Sequence, residues 1–180
     1  MFKQTNKIAI FSLALIFLIE PLSLFAATER VSLADDEIEA NAATITLAVS
    51  SDGRYIAFLS TATNLVPTDS DTVADVFVRD RTLGTTELIS VSTAGVKQDV
   101  GNSSGRLVIS PDGRYVLFLS NATNLVAGDG NGKADAFIRD RQLGTTEIVS
   151  IGDDESIGNG NSAVNGVTLA MTPDGRYIVF

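Results

Sequence analysis

The stretch Ser110-Pro-Asp-Gly-Arg-Tyr-Val-Leu-Phe118 decides the reading of this chain. Its first half is a turn signal: Pro presets φ at the second turn position, and Gly supplies the positive φ such turns often need. Its second half opens a strand, Tyr115–Ser120, rich in aromatic and aliphatic side chains. Successive side chains point to opposite faces of a strand. Tyr115, Leu117 and Leu119 therefore share one face, and Val116, Phe118 and Ser120 the other. Both faces are largely apolar, so this strand must be covered on both sides.

Outward from that stretch the sequence repeats itself. Asp-Gly-Arg-Tyr stands at 52–55, 112–115 and 174–177. Ala-Thr-Asn-Leu-Val stands at 62–66 and 122–126, Arg-Asp-Arg at 79–81 and 139–141, and Leu-Gly-Thr-Thr-Glu at 83–87 and 143–147. Residues 51–92 laid over 111–152, without a gap, agree at 25 of 42 positions, which makes them two copies of one unit. A third copy opens with Met171-Thr-Pro-Asp-Gly-Arg-Tyr177 and runs to Phe180. A fixed period, with each unit too small to bury itself, marks a repeat architecture.

Each unit predicts four short strands. They are Leu47–Ser50, Tyr55–Ser60, Asp75–Arg79 and Thr86–Val91 in the first copy. In the second they are Leu107–Ser110, Tyr115–Ser120, Asp135–Arg139 and Thr146–Ile151. Hairpin connections fall at 80–84 and 140–144. No 11-residue stretch after the leader carries a convincing helical stripe. An all-β chain follows, and two-sided apolar strands in sets of four antiparallel strands point to a β-propeller. A β-solenoid would have shorter, more uniform repeats. The expected units are 47–106, 107–166 and a partial 167–180, an incomplete arc of about two and a half blades. Glu29-Arg-Val-Ser32 is similar to Glu87-Leu-Ile-Ser90 and Glu147-Ile-Val-Ser150 and reads as a fourth strand without its own first three. Such an arc is expected to expose sheet edges and to self-associate.

At this point the residues resemble a known family. Ser-Pro-Asp-Gly-Arg-Tyr-Val-Leu-Phe at 110–118 is similar to the TolB-type, WD-like propeller repeat, a Ser-x-Asp-Gly-Arg/Lys turn before an aromatic-ended strand. The longer pattern, with Asn-Leu-Val, Asp-x-Phe-x-Arg-Asp and Gly-Thr-Thr, resembles exported bacterial members of that family. The resemblance covers residues 28–180. It implies a rigid exported scaffold that binds proteins or small ligands through its loops, and it implies no particular reaction. TolB proper carries a separate α/β domain before its propeller. Here the repeats begin within a few residues of the leader, so TolB's own role does not carry over.

The leader is residues 1–26. Lys3 and Lys7 give a positive start, Ile8 to Ile19 is an apolar run of 12 residues interrupted by Ser12, and Glu20 and Pro21 end it. That is the layout of a secretory signal peptide, with cleavage expected near Ala26 or Ala27. The run is short of the roughly 20 apolar residues a membrane span needs. An uncleaved N-terminal anchor is the alternative. Residues 27–180 are then periplasmic or secreted, with no transmembrane segment after cleavage.

Composition closes several routes. The 180 residues contain no Cys, no His and no Trp. Disulfides, thiolate nucleophiles and Cys metal sites are excluded, as are His-dependent triads. A net charge of -9 argues against nucleic-acid partners, whose phosphates need clustered Lys and Arg.

Four features could carry chemistry. The loops Asp69-Ser-Asp71-Thr-Val-Ala-Asp75 and Asp129-Gly-Asn131-Gly-Lys-Ala-Asp135 place oxygen side chains at positions 1, 3 and 7, a partial match to calcium-loop spacing. The other reading is a polar turn whose Asx side chains bond their own backbone. If calcium binds, the first copy, with three Asp and no Lys133, is expected to bind better. No other cofactor is implied. The Asp-Gly turns at Asp52, Asp112 and Asp174 recur in every unit and read as turn structure, not as acid–base pairs. Arg79-Asp80-Arg81 and Arg139-Asp140-Arg141 read as local ion pairs, with an anion site as the alternative. The segment Gly152 to Gly166 reads as a long connector between blades, where recognition is often placed. The leading expectation is a non-enzymatic binding scaffold. The alternatives are the propeller domain of a larger exported hydrolase and a calcium-stabilised surface or adhesion protein.

Overall fold

The computed structural model describes residues 28–99, 105–162 and 169–180. The expected leader and the end of the 152–166 connector lie outside the described residues. Among the described residues there is no helix.

The strands are β1 (Thr44–Val49), β2 (Tyr55–Ser60), β3 (Asp75–Asp80) and β4 (Thr85–Leu88), then β5 (Leu107–Ile109), β6 (Tyr115–Ser120), β7 (Asp135–Asp140) and β8 (Thr145–Ile148). Each set forms one antiparallel four-stranded sheet in sequence order. A third unit begins as the hairpin of β9 (Ala170–Met171) and β10 (Ile178–Val179). The register repeats with the sequence: Phe58 lies opposite Phe77, and Phe118 opposite Phe137. The rings stack, with centroids 5.6 and 5.8 Å apart. All four are fully buried, a gain of about 1.5–3 kcal/mol each.

The turn motif is built as its residues dictate. Asp112 Oδ1 accepts hydrogen bonds from Ser110 Oγ (2.6 Å) and Arg114 N (3.0 Å). Asp52 and Asp174 do the same with Ser50, Arg54, Thr172 and Arg176. The carboxylates belong to turns, as expected.

The expected boundaries move most at the start of the first strand and the ends of the fourth strands. β1 starts at Thr44, three residues earlier than expected, across an irregular register between Thr44 and Thr46. The fourth strands end at Leu88 and Ile148 instead of Val91 and Ile151. The cause is Ser90, whose hydroxyl accepts from Val76 N (3.2 Å) and donates to Asp75 Oδ1 (2.7 Å). A side chain thus takes a backbone partner, and the chain folds back through a hairpin bridged at Val91 and Lys97. Ser150 repeats this with Ala136 and Asp135, and Ile151 bridges Ile157.

The sheets stack face to face. Ala57 and Leu59 of β2, with Val76 and Val78 of β3, pack against Ile109, Val116, Phe118 and Phe137 of the second sheet. The second sheet's Leu117, Leu119, Ala136 and Ile138 pack against Leu169, Met171 and Ile178 of the third unit. One face of each sheet therefore meets the opposite face of the next. Sequential four-stranded antiparallel sheets stacked in this way are propeller blades. The antiparallel order puts the Asp-Gly turns and the 80–84 and 140–144 hairpins at one end of the blades. The 61–74 and 121–134 loops, with the 89–98 and 149–158 hairpins, lie at the other.

The opening segment takes up part of its expected place. Arg141 binds Glu87 (2.9 Å) and the Gly113 carbonyl (2.7 Å). Arg81 binds Glu29 and the Gly53 carbonyl in the same way. Glu29 thus stands where a fourth-strand glutamate stands, although residues 29–32 form no ladder with a sheet.

Candidate functional site

The candidate calcium residues sit at the loop end. In the first blade Asp75 begins β3 and is fully buried, Asp69 is buried in the loop before it, and Asp71 is exposed. One carboxylate oxygen from each lies within 4.8 Å of the others. The loop brings the three together, and the hairpin after β4 delivers a cation to them. Lys97 Nζ stands 2.8 Å from Asp71 Oδ2, 2.9 Å from Asp75 Oδ2 and 3.4 Å from Asp69 Oδ1. Next to it Gln98 Nε2 donates to Asp75 Oδ1 (2.8 Å) and the Ala74 carbonyl (2.9 Å).

Electrostatics follow from that geometry. Burial raises the pKa of Asp75, against the opposing hydrogen bond from Lys97. Burial, then the Asp75 charge, raises that of Asp69. The Lys97 hydrogen bond lowers that of Asp71. Burial opposes the charge on Lys97, but Asp71 and Asp75 together outweigh it and raise its pKa. Val73 N also donates to Asp71 Oδ1 (2.9 Å), so the Asx-turn reading and the cluster reading describe the same residue.

The second blade keeps the loop and changes its partners. Asp129 and Asp135 are buried like their counterparts. Asp135 Oδ1 accepts from Ser150 (2.7 Å), and its Oδ2 accepts from Asn131 Nδ2 (3.1 Å). The same Nδ2 donates to the Gly158 carbonyl (2.9 Å), and Asn131 Oδ1 accepts from Lys133 N (2.6 Å). Lys133 is exposed.

Lys97 and Gln98 were not found from sequence. The signal is nonetheless there: the segments starting at Glu29, Glu87 and Glu147 align without a gap, and they put Glu39, Lys97 and Ile157 at one position.

The Arg-Asp-Arg triplets make ion pairs, as expected, except at Arg139. Arg54 Nε and Nη2 hold the Asp80 carboxylate at 2.7–3.2 Å, and Arg114 holds Asp140 at 2.6–3.1 Å. Arg79 pairs with Glu37, while Arg139 donates to the Ser92 and Gly144 carbonyls. These guanidinium groups all bond the chain itself, although Arg139 Nε is buried without a partner.

A cleft lies beside each loop. The first, about 500 Å³, runs between the Ala34–Ile38 hairpin and the Thr63–Ser70 loop and includes Asp35, Asp36 and Asp69. The second, about 370 Å³, runs between Ser92–Ala94 and Thr123–Ala127 and has no charged lining residue.

These blades are β-propeller blades. No family model matches the sequence, and no curated protein matches it. Among solved structures the chain is similar to TolB from Acinetobacter baumannii, with 18% identity over 78% of this chain and 27% of that one, at a TM-score of 0.45. It is similar to the β-propeller domain of the Trilobed protease from Pyrococcus furiosus at 14% identity, 76% and 33% coverage and a TM-score of 0.44. Kuenenia stuttgartiensis hydrazine synthase gives 16%, 73%, 35% and 0.40. The chain thus spans about a third or less of the length of these solved chains. Topology and face-to-face stacking make these units propeller blades. Among the described residues no helix is long and apolar enough to cross a membrane.

Proposed function

We propose that the protein is an exported, non-enzymatic β-propeller scaffold that binds a protein or small ligand through the loop end of its blades. The observation that carries this reading is the repeated cleft. The same backbone cleft recurs in successive blades with different linings, acidic in the first and uncharged in the second. A constant frame with varied loop side chains is how a rigid scaffold presents a recognition surface. The acidic first cleft suits a cationic or hydrogen-bond-donating ligand and repels phosphate. The non-enzymatic part is supported by the employment of the recurrent Asp52, Asp112 and Asp174 carboxylates in turns.

Photo-crosslinking in the producing cells tests the reading. A crosslinker in place of Asp36 or Ala94, both exposed at the loop end, should trap a partner. One at Thr82 or Gln142, exposed at the turn end, should not. Adducts from the turn end alone, or from neither end, overturn the assignment. Export is read separately from the mass of the mature N-terminus: cleavage near Ala26 or Ala27 is expected, and an intact Met1 on a cytoplasmic protein contradicts it.

A further inference from the structure

We propose that the second blade binds a calcium ion between Asp129, Asp135 and the Gly158 carbonyl, in the place that the Lys97 ammonium fills in the first blade.

Asp129 is 3% exposed, neither of its carboxylate oxygens has a partner in hydrogen-bond geometry, and the Asn131 backbone N–H, which favours its charged form, does not offset its burial. A buried carboxylate without a partner is costly. Its counterpart Asp69 is likewise buried, and there the Lys97 ammonium supplies the positive charge at 3.4 Å. The aligned hairpin of the second blade replaces both donors that face the carboxylates. Ile157 stands at the position of Lys97 and forms the same bridge, to Ile151 where Lys97 bridges Val91. Gly158 stands at the position of Gln98 and brings no side chain. The backbone geometry is kept, the hairpin's cation and amide are gone, and Asp135 accepts from Ser150 and Asn131 instead. Asp129 and Asp135 are near enough for the Asp135 charge to act on Asp129.

The donor set that remains is all oxygen. Two carboxylates and a backbone carbonyl suit a hard cation, and Ca²⁺ accepts six to eight oxygens in a flexible arrangement completed by water. Asn131 Nδ2 now bridges Asp135 Oδ2 and the Gly158 carbonyl. That donor marks where positive charge is wanted, and it would swing aside as the ion enters. Mg²⁺ demands near-ideal octahedral geometry and sheds water reluctantly, which an irregular loop-and-hairpin set does not favour. Asp140, at position 12 of an EF-hand count, lies at the far end of β7 from Asp135. At about 3.3 Å per residue it is more than 15 Å away and takes no part. With few protein ligands the affinity falls in the extracellular range, about 10⁻⁴–10⁻³ M. The first blade, with the Lys97 ammonium on all three of its carboxylates, binds no ion, the reverse of the order that the count of Asp residues suggests.

Calorimetry and thermal melting of the chelator-treated protein test this. Wild type should bind one Ca²⁺, and at about ten times the Kd its Tm should rise by about 3–6 °C. Ile157→Lys should abolish binding and raise the Tm in chelator. Lys97→Ile should lower the Tm in chelator and add a second Ca²⁺ site. Asp129→Asn should lose binding without losing stability in chelator, a result a merely structural aspartate would not give. Absence of Ca²⁺ heat and of any Tm shift in folded wild type overturns the proposal. Unchanged binding in Ile157→Lys overturns it too, and a Mg²⁺ shift as large as that of Ca²⁺ overturns the choice of ion.

Discussion

Asp80 and Asp140 show how much one side chain carries here. Each accepts a forked pair from an arginine and two backbone N–H groups, from Thr82 and Leu83 or from Gln142 and Leu143. One carboxylate thus fixes the end of its strand, the hairpin after it and the turn arginine before it. The arginine hydrogen bond is the main cause of the lowered pKa of each. A carboxylate whose folded pKa is depressed stabilises the fold above its unfolded pKa, and that stability is lost as pH falls through the folded pKa. The Tm should therefore drop as pH falls below about 4. In Asp80→Asn with Asp140→Asn the acid-sensitive part of that drop should shrink. Asp80→Ala should cost about 2 kcal/mol at neutral pH, discounted for the partly exposed Arg54. Thermal melts at pH 7 and pH 3 check the first statement, and denaturant melts at pH 7 check the second.

Turns decide how elements meet. Gly113 has φ of 74°, and a Cβ there would stand 2.1 Å from the Tyr55 ring of the preceding blade. The same ring lies under Arg54 and Arg141, 4.7 and 4.6 Å from its centroid. The turn of one blade is therefore seated on the first residue of β2 in the blade before it. Gly95 has a similar φ of 76° but nothing within 4 Å of its would-be Cβ. Gly95→Ala should cost only the left-handed strain, about 1–2 kcal/mol. Gly113→Ala adds a clash with an aromatic ring and should cost several times as much, about 4 kcal/mol or more. Equilibrium unfolding of the two variants tests the contrast, and equal costs would refute the seating of Gly113 on Tyr55.

For the whole molecule, head-to-tail stacking makes equivalent positions unequal. Val49 in β1 and Ile109 in β5 occupy the same repeat position, yet Val49 is 49% exposed and Ile109 is 7% exposed. Ile45 and Leu47 join Val49 in an exposed apolar row on β1. Exposed apolar rows on an edge strand invite association with further chains. Leu47→Lys with Val49→Thr should reduce self-association in sedimentation experiments and leave the Tm within about 1–2 °C. Ile109→Lys, at a buried blade contact, should instead destabilise by about 3 kcal/mol or more. Similar effects on Tm from both changes would contradict the stacking order.

The sequence by itself determined the blade. Period-2 alternation, the Asp-Gly turns and the repeat copies fix Tyr55–Ser60 and Tyr115–Ser120 to the residue, because strand faces and turn φ values are local properties. Alternation alone overextends the fourth strands, since it continues through Ile89 and Val91 while the Ser90 hydroxyl ends the ladder through a contact 15 residues away. The loop carboxylates were legible as a group of oxygens at fixed spacing. Their partner was not, because Lys97 lies 22 residues beyond Asp75 and meets it only once the hairpin folds back over β3. Which carboxylate receives a cation from its own chain, and which is buried without one, is a matter of long-range packing. Burial makes that pairing costly to omit, and only the tertiary structure decided it.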